Sequence, residues 1–230
     1  MASWMVHLRI ADVLLSKLDR IDETAFVMGN IAPDSGVPNA DWTEFRPPKT
    51  VSHFQNQAET AGSIDLDAFR SRCFHPGVIP GYSLREFSFF LGYYAHLLSD
   101  VRWSGTIVAA LKRDFPEEYA RDKSALVLAA KEDWYDLDFL YLEQHPDFRA
   151  FAVFEHAVGF ENTFLDLFSP DAFENRRAYI CGFYHGQEHG ELHRSYRYLT
   201  PERADAFVRD TSDWIWEQIQ PYLIREDGGR

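Results

Sequence analysis

Cysteine is scarce in this 230-residue chain, and long apolar runs are missing. Cys73 and Cys181 stand far apart with no CxxC pairing, which excludes a zinc ribbon or a disulfide framework and suits a reducing compartment. No window approaches the roughly 18 apolar residues of a membrane span. The N-terminal stretch MASWMVHLRIADVLL lacks a basic leader and a continuous apolar core; His7, Arg9 and Asp12 interrupt it, as in an amphipathic helix rather than a signal peptide. These absences together predict a soluble, cytoplasmic protein with no transmembrane segment. Basic residues are also in short supply, 23 against 36 acidic ones, for a net charge of −13. That balance disfavours a nucleic-acid duplex or an anionic membrane surface as an extended partner. A phosphate can still bind such a chain where a metal supplies local positive charge.

The chain does have apolar and aromatic residues, at 46% and 16%, enough for a packed core. Their spacing is helical nearly throughout, with no two-residue alternation, repeat or low-complexity tract. Helices are predicted over Met5 to Leu18, around Ser52 to Ala61, and over Asp65 to Cys73. Ser83 and Glu86 form a capping box that opens a helix to about Trp103. Further helices are expected over Thr106 to Asp114, Glu117 to Gln144 and Asp147 to Leu167. Ser169-Pro170-Asp171 is expected to open a helix to about Tyr198, and Thr200-Pro201-Glu202 one to about Leu223, each with Pro at the first helical position. Residues 29 to 49, rich in Gly, Pro, Asn and Asp, read as a long loop of the functional or mobile kind, and the tail REDGGR as frayed. The expectation is one all-α domain over residues 1–230, with about eight or nine helices.

One apolar segment carries polar groups that need explaining. FFLGYYAHLLSD, Phe89 to Asp100, places His96 and Asp100 four apart and so on one helical face. A core histidine bonded to a nearby acid is the plain reading, and a metal site is the alternative. His7 on the first helix, Asp34 in the long loop and His53 beyond it supply matching ligand types, although each has an ordinary reading as a surface, turn or helix-start residue. Three imidazoles and two carboxylates suit zinc, and also iron or manganese. In the C-terminal half, YHGQEHGELH spaces His185, His189 and His193 four apart, either as a ligand stripe or as a solvated face. Asp133 and Asp136, in EDWYDLD, are further candidates for metal or structural roles, and His156 reads as a core histidine.

WMVH at Trp4 to His7, GNIAPDSG at Gly29 to Gly36, KTVSHF at Lys49 to Phe54 and FFLGYYAHLLSDVRW at Phe89 to Trp103 occur in an order that resembles the zinc-dependent phospholipase C family, related in fold to the S1/P1 nucleases. The match covers roughly the first 105 residues. It implies a multi-helix domain of that type in which Asp34, His53, His96 and Asp100 ligate one metal. It also implies that His7 sits on a second metal and that Asp100 bridges the two. The pattern departs in two places. Trp4 follows Met-Ala-Ser rather than beginning the chain, so its nitrogen is an ordinary amide and the ring becomes a packing or pocket-wall group. Thr106 stands where secreted members place a further histidine, so a third metal is not implied.

The activity implied is hydrolysis of a phosphodiester or phosphomonoester, on a small or lipid-derived substrate, by water activated at one or two metal ions. Asp34 would orient that water and take its proton. Arg102, Arg9 and Lys49 are the nearest basic residues in sequence for a phosphate contact. A metal-bearing protein that binds phosphate or a lipid head-group without turnover is the alternative. An HD-type phosphohydrolase is disfavoured because the chain has no His-Asp dipeptide.

Overall fold

Helix starts follow the local chemistry of the sequence. Ser3 caps α1 (Trp4–Leu15) by accepting from the Val6 amide, and Asp22 caps α2 (Glu23–Ile31) through the Ala25 amide. The predicted capping box is formed at α5 (Leu84–Trp103): Ser83 accepts from the Glu86 amide while the Glu86 carboxylate takes the Ser83 amide. Asp65 caps α4 (Leu66–Cys73), and Pro201 opens α11 (Pro201–Leu223) as expected. The computed structural model describes residues 1–41, 43–55, 63–186 and 188–223.

The remaining elements depart more from the sequence reading. The expected loop begins later, because Gly29 to Ile31 complete α2 before a single 3-10 turn at Ala32–Asp34. It then carries a two-residue antiparallel ribbon, β1 (Val37–Pro38) against β2 (Phe45–Arg46), and runs into the one-turn α3 (Lys49–Ser52). The rest of the helix expected up to Ala61 falls largely on residues 56–62, outside the described residues, as does the tail. A π-helical turn at Ser104–Val108 joins α5 to α6 (Ala109–Asp114). The long helix expected from Glu117 is divided into α7 (Pro116–Arg121) and α8 (Lys123–Gln144), because extended Asp122 turns its side chain to cap α8.

Two predicted helices are cut short. α9 (Arg149–His156) stops well before Leu167. Gly159 adopts φ of +74°, and the Asn162 amide donates to the Leu165 and Phe168 carbonyls while its oxygen accepts from the Phe164 and Leu165 amides. That side chain supplies a loop with the hydrogen bonds a helix would otherwise provide. α10 (Ala172–His185) starts two residues after Pro170 and ends at Gly186, far short of Tyr198.

The described residues are thus mostly helical, with eleven α-helices around one continuous apolar core. α5 lies at its centre, with every side chain from Phe87 to Asp100 buried. α2 crosses it at backbone contact, made possible by a glycine on each helix. A Cβ on Gly92 would sit 2.0 Å from the Phe26 carbonyl oxygen, and one on Gly29 would sit 2.0 Å from that of Phe89. No helix among the described residues is long and apolar enough to cross a membrane.

Candidate metal centre

The α2–α5 crossing, α1 and the end of α3 bring five polar side chains to one buried point. His7 comes from α1, Asp34 from the 3-10 turn after α2, His53 from the residue closing α3, and His96 and Asp100 from α5. The three histidines are 0% exposed, and the Asp100 and Asp34 side chains are 1% and 7% exposed. His53 Nε2 lies 3.3 Å from His96 Nε2 and 3.4 Å from Asp34 Oδ1. Asp100 splits its carboxylate: Oδ1 is 3.5 Å from His7 Nε2, whereas Oδ2 is 3.5 Å from His96 Nε2 and 3.7 Å from His53 Nε2.

Those separations are long for hydrogen bonds and right for ligands. Two donors about 2.0–2.1 Å from a tetrahedrally coordinated cation lie about 3.3–3.4 Å apart. Two triads, His7–His96–Asp100 and Asp34–His53–His96, bring one possible ligand atom from each residue within 4.8 Å of the others. A buried polar atom normally has a partner. Here both ring nitrogens of His7 and Oδ2 of Asp100 are buried without a hydrogen bond of good geometry. These buried His/Asp groups fit a metal ion, and a cation would partner His7 Nε2 and the Asp100 carboxylate, which are otherwise desolvated at a cost.

The surroundings fix the ligands' orientation. His96 Nδ1 is 2.8 Å from the Asn30 carbonyl oxygen, which can only accept. Nδ1 therefore carries the proton, and in the neutral ring Nε2 presents its lone pair to the cluster. Ser52 Oγ is 3.0 Å from His53 Nδ1, and the Tyr93 hydroxyl donates to the Ser52 carbonyl. His7 stacks on His96 with centroids 3.8 Å apart and planes 7° apart. The Ala2 amide donates to Asp100 Oδ1 at 2.8 Å.

The ionisation states follow from this packing. Burial pushes His7 down to about 4, with the neighbouring His96 adding to the effect, so the ring is neutral at pH 7. Burial alone would raise Asp100 and Asp34. The His7 and His96 rings outweigh it at Asp100, and the His53 and His96 rings at Asp34, holding both carboxyls below the usual carboxylate range. At His96 burial is again opposed, here by Asp100, and the net shift is upward. A proton and a divalent cation therefore compete for the same space, so cation uptake releases protons.

Asp34 also lines a cleft of about 1100 Å³, together with Lys49, Trp4, Tyr179, Phe183 and Arg176. Trp4 packs edge-on against Tyr179, Phe183 and Tyr184, which makes it the pocket-wall residue expected. Comparison with protein-family models, with curated proteins and with solved structures gives no match.

The C-terminal candidates lie apart from the five. The helix carrying His185 ends there, so His185, His189 and His193 do not share a helical stripe. His185 pairs with Glu155, His193 with Glu143 at 2.9 Å, and His189 bonds its neighbour's carbonyl at the cleft edge. Asp133 and Asp136 are buried, but they grip Arg194 and the backbone amides of Gly190, Tyr198 and Leu199. They hold the irregular segment over residues 188–199 in place. His156 is exposed and bonds the Ala152 carbonyl one turn back, rather than sitting in the core. Of the basic candidates only Lys49 reaches the site, 4.0 Å from Asp34 Oδ1. Arg9 pairs with Asp205 and Arg102 lies over Trp214 on α11. The sequence reading missed Asn30 and Arg176. Asn30 stands immediately before Ile31-Ala32-Pro33, but a backbone carbonyl leaves no residue-type signal.

Asp138 was also missed. It is buried, and it accepts from the Ser3 and Tyr184 hydroxyls at 2.8 Å each. Burial pushes its carboxyl up to about 7. A raised folded value means that stability is fully present below the unfolded value near 4 and is lost as pH rises to about 7. Asp138→Asn removes that loss. Thermal melts should show the variant stabilised at pH 8 by on the order of 2–4 kcal/mol, with the gain gone at pH 4. An equal difference at both pH values would refute the ionisation.

Proposed function

We propose that the protein is a metal-dependent phosphoesterase resembling the zinc-dependent phospholipase C family, with His7, Asp34, His53, His96 and Asp100 as ligands for one or two ions and Asp100 between them. The observation that carries this reading is the meeting of three imidazoles and two carboxylates, at ligand-to-ligand spacing, beside a cleft large enough for a substrate. Three nitrogens with two carboxylates favour zinc, with iron or manganese as the other fits. When bound, such a cation supplies Lewis-acid chemistry, acidifying water and stabilising charge on phosphoryl oxygens.

The chain's own residues supply the rest. Asp34 is the one member of the five that also lines the cleft. Its lowered proton affinity makes it better at orienting the attacking water by accepting a hydrogen bond than at storing the proton. Trp4, Tyr179 and Phe183 give the cleft an aromatic wall against which an ester group can pack.

The test is metal analysis of purified protein together with hydrolysis of bis-p-nitrophenyl phosphate and p-nitrophenyl phosphate. One or two ions per chain are expected, with turnover that chelation abolishes. Protein that stays metal-free after zinc, iron and manganese supplementation would defeat the reading. Metal with phosphate binding but no turnover would identify a binding protein instead.

A further inference from the structure

We propose that Arg176, with Lys49 beside it, binds the phosphoryl oxygens of the ligand at the mouth of the His/Asp cluster. This deepens the phosphoesterase reading and rests on it for the identity of the ligand.

Arg176 lies on α10, far in sequence from Lys49 and the five candidate ligands. It is only 5% exposed, yet it forms part of the cleft wall with Asp34 and Lys49. Its guanidinium carbon is 5.7 Å from the Trp4 ring centre and 5.5 Å from that of Tyr179, so two aromatic faces hold it. One of its terminal nitrogens donates to the Gly36 carbonyl at 2.6 Å. Gly36 is two residues beyond Asp34, so the guanidinium is tied to the turn that delivers that carboxylate. It is also close enough for the Asp34 charge to oppose the effect of its burial.

Such a fork is pre-oriented. Arginine presents five N–H donors in a plane and matches two oxygens of a phosphate at once, whereas the flexible lysine acts as a point charge. Lys49 supplies that charge 4.0 Å from Asp34 Oδ1, resting over the Phe45 ring at 4.9 Å. Elsewhere the cleft lining carries both signs, Lys123 and Lys131 with Glu132 and Glu188, and Asp136 is bonded to Arg194. Arg176 and Lys49 line the cleft with Asp34, the cluster member found there. A phosphoryl group bound there would lie in the same cleft as Asp34.

The experiment uses the whole chain and inorganic phosphate as probe, with calorimetric titration of both metal-loaded and metal-free protein, and acetate as a non-tetrahedral control. Arg176→Gln should weaken phosphate binding at least tenfold in the loaded protein while metal content stays at the wild-type level. Lys49→Gln should weaken it about threefold, and acetate should bind the wild type at least tenfold more weakly than phosphate. Phosphate affinity of R176Q within twofold of wild type overturns the proposal. So does a fall in its metal content, since Arg176 would then act only by holding the Asp34 turn. Should R176Q not fold, Arg176→Lys carries the test, because it keeps the charge but loses the fork. A loss of threefold or more supports the proposal, and unchanged affinity overturns it. A wild type that takes up no metal defeats the phosphoesterase reading alone, and the metal-free titrations, read by the same margins, still decide the role of Arg176.

Discussion

Asp100→Asn is expected to lower cation affinity by at least 100-fold and to abolish any metal-dependent turnover. The carboxylate faces His7 with one oxygen and His53 and His96 with the other. An amide keeps the shape but replaces one oxygen by a donor and removes the negative charge. Both losses act on a group that faces three of the other four members of the cluster. The variant also separates metal binding from folding. In metal-free wild type the Asp100 carboxyl sits well below its usual range, so its contribution to stability is present above about pH 4 and is lost as pH falls through the folded value. Removing one partner of a buried charge cluster typically costs about 3–5 kcal/mol. Urea unfolding in excess chelator at pH 7 should show a loss of that order, and it should shrink as the pH is lowered toward 3. Wild-type metal content in the purified variant would rule out Asp100 as a ligand.

The parts of the fold that were legible in the sequence are those set by local chemistry. The capping box at Ser83, the Thr200-Pro201 start and the helical spacing of His96 and Asp100 all depend on residues within a turn of each other. The errors fall where distant residues decide. Residues 157–167 are a local exception: they are apolar enough for a helix, but the Asn162 side chain bonds residues within six positions and satisfies a loop instead. Residues 188–199 look like a continuation of α10 until Asp133 and Asp136, more than 50 positions earlier, draw in Arg194 and the backbone. α2 was hidden because it ends in Gly-Asn-Ile, a sequence that reads as loop when its partner helix is unknown.

The same division applies to the site. Spacing placed His96 and Asp100 on one face, and residue type made His7, Asp34 and His53 candidates, whereas their convergence on that pair was implied by the resemblance alone. The structure brings all five together, yet nothing within any single segment encodes their meeting. Arg176 and Asn30 contribute through a buried fork and a backbone carbonyl, and neither is distinguished by residue type or by spacing from the ligands.

The contact that makes the meeting possible can be tested without touching a ligand. Gly92→Ala places a Cβ 2.0 Å from the Phe26 carbonyl oxygen and 2.8 Å from the Asn30 amide nitrogen, both backbone atoms that cannot rotate away. Restoring ordinary contact requires α2 and α5 to separate by more than about 1 Å. Overpacking of this kind costs about 3 kcal/mol or somewhat more, about 6–12 °C in Tm for a chain of this size. The separation also draws the Asn30 carbonyl away from His96 Nδ1, now 2.8 Å distant, and releases the ring that both candidate triads share. Loss of such an orienting bond lowers metal affinity about 10–100-fold. Gly182→Ala on α10 is the matched control: its Cβ would meet nothing within 4 Å, so relief of glycine's entropy should raise stability by about 0.5–1 kcal/mol and leave metal affinity alone. If G92A melts with wild type and binds metal as tightly, the crossing tolerates a methyl group and close backbone contact is not what aligns His96. If G92A loses both while G182A loses neither, the glycine on α5 is as necessary to the cluster as any side chain that faces it.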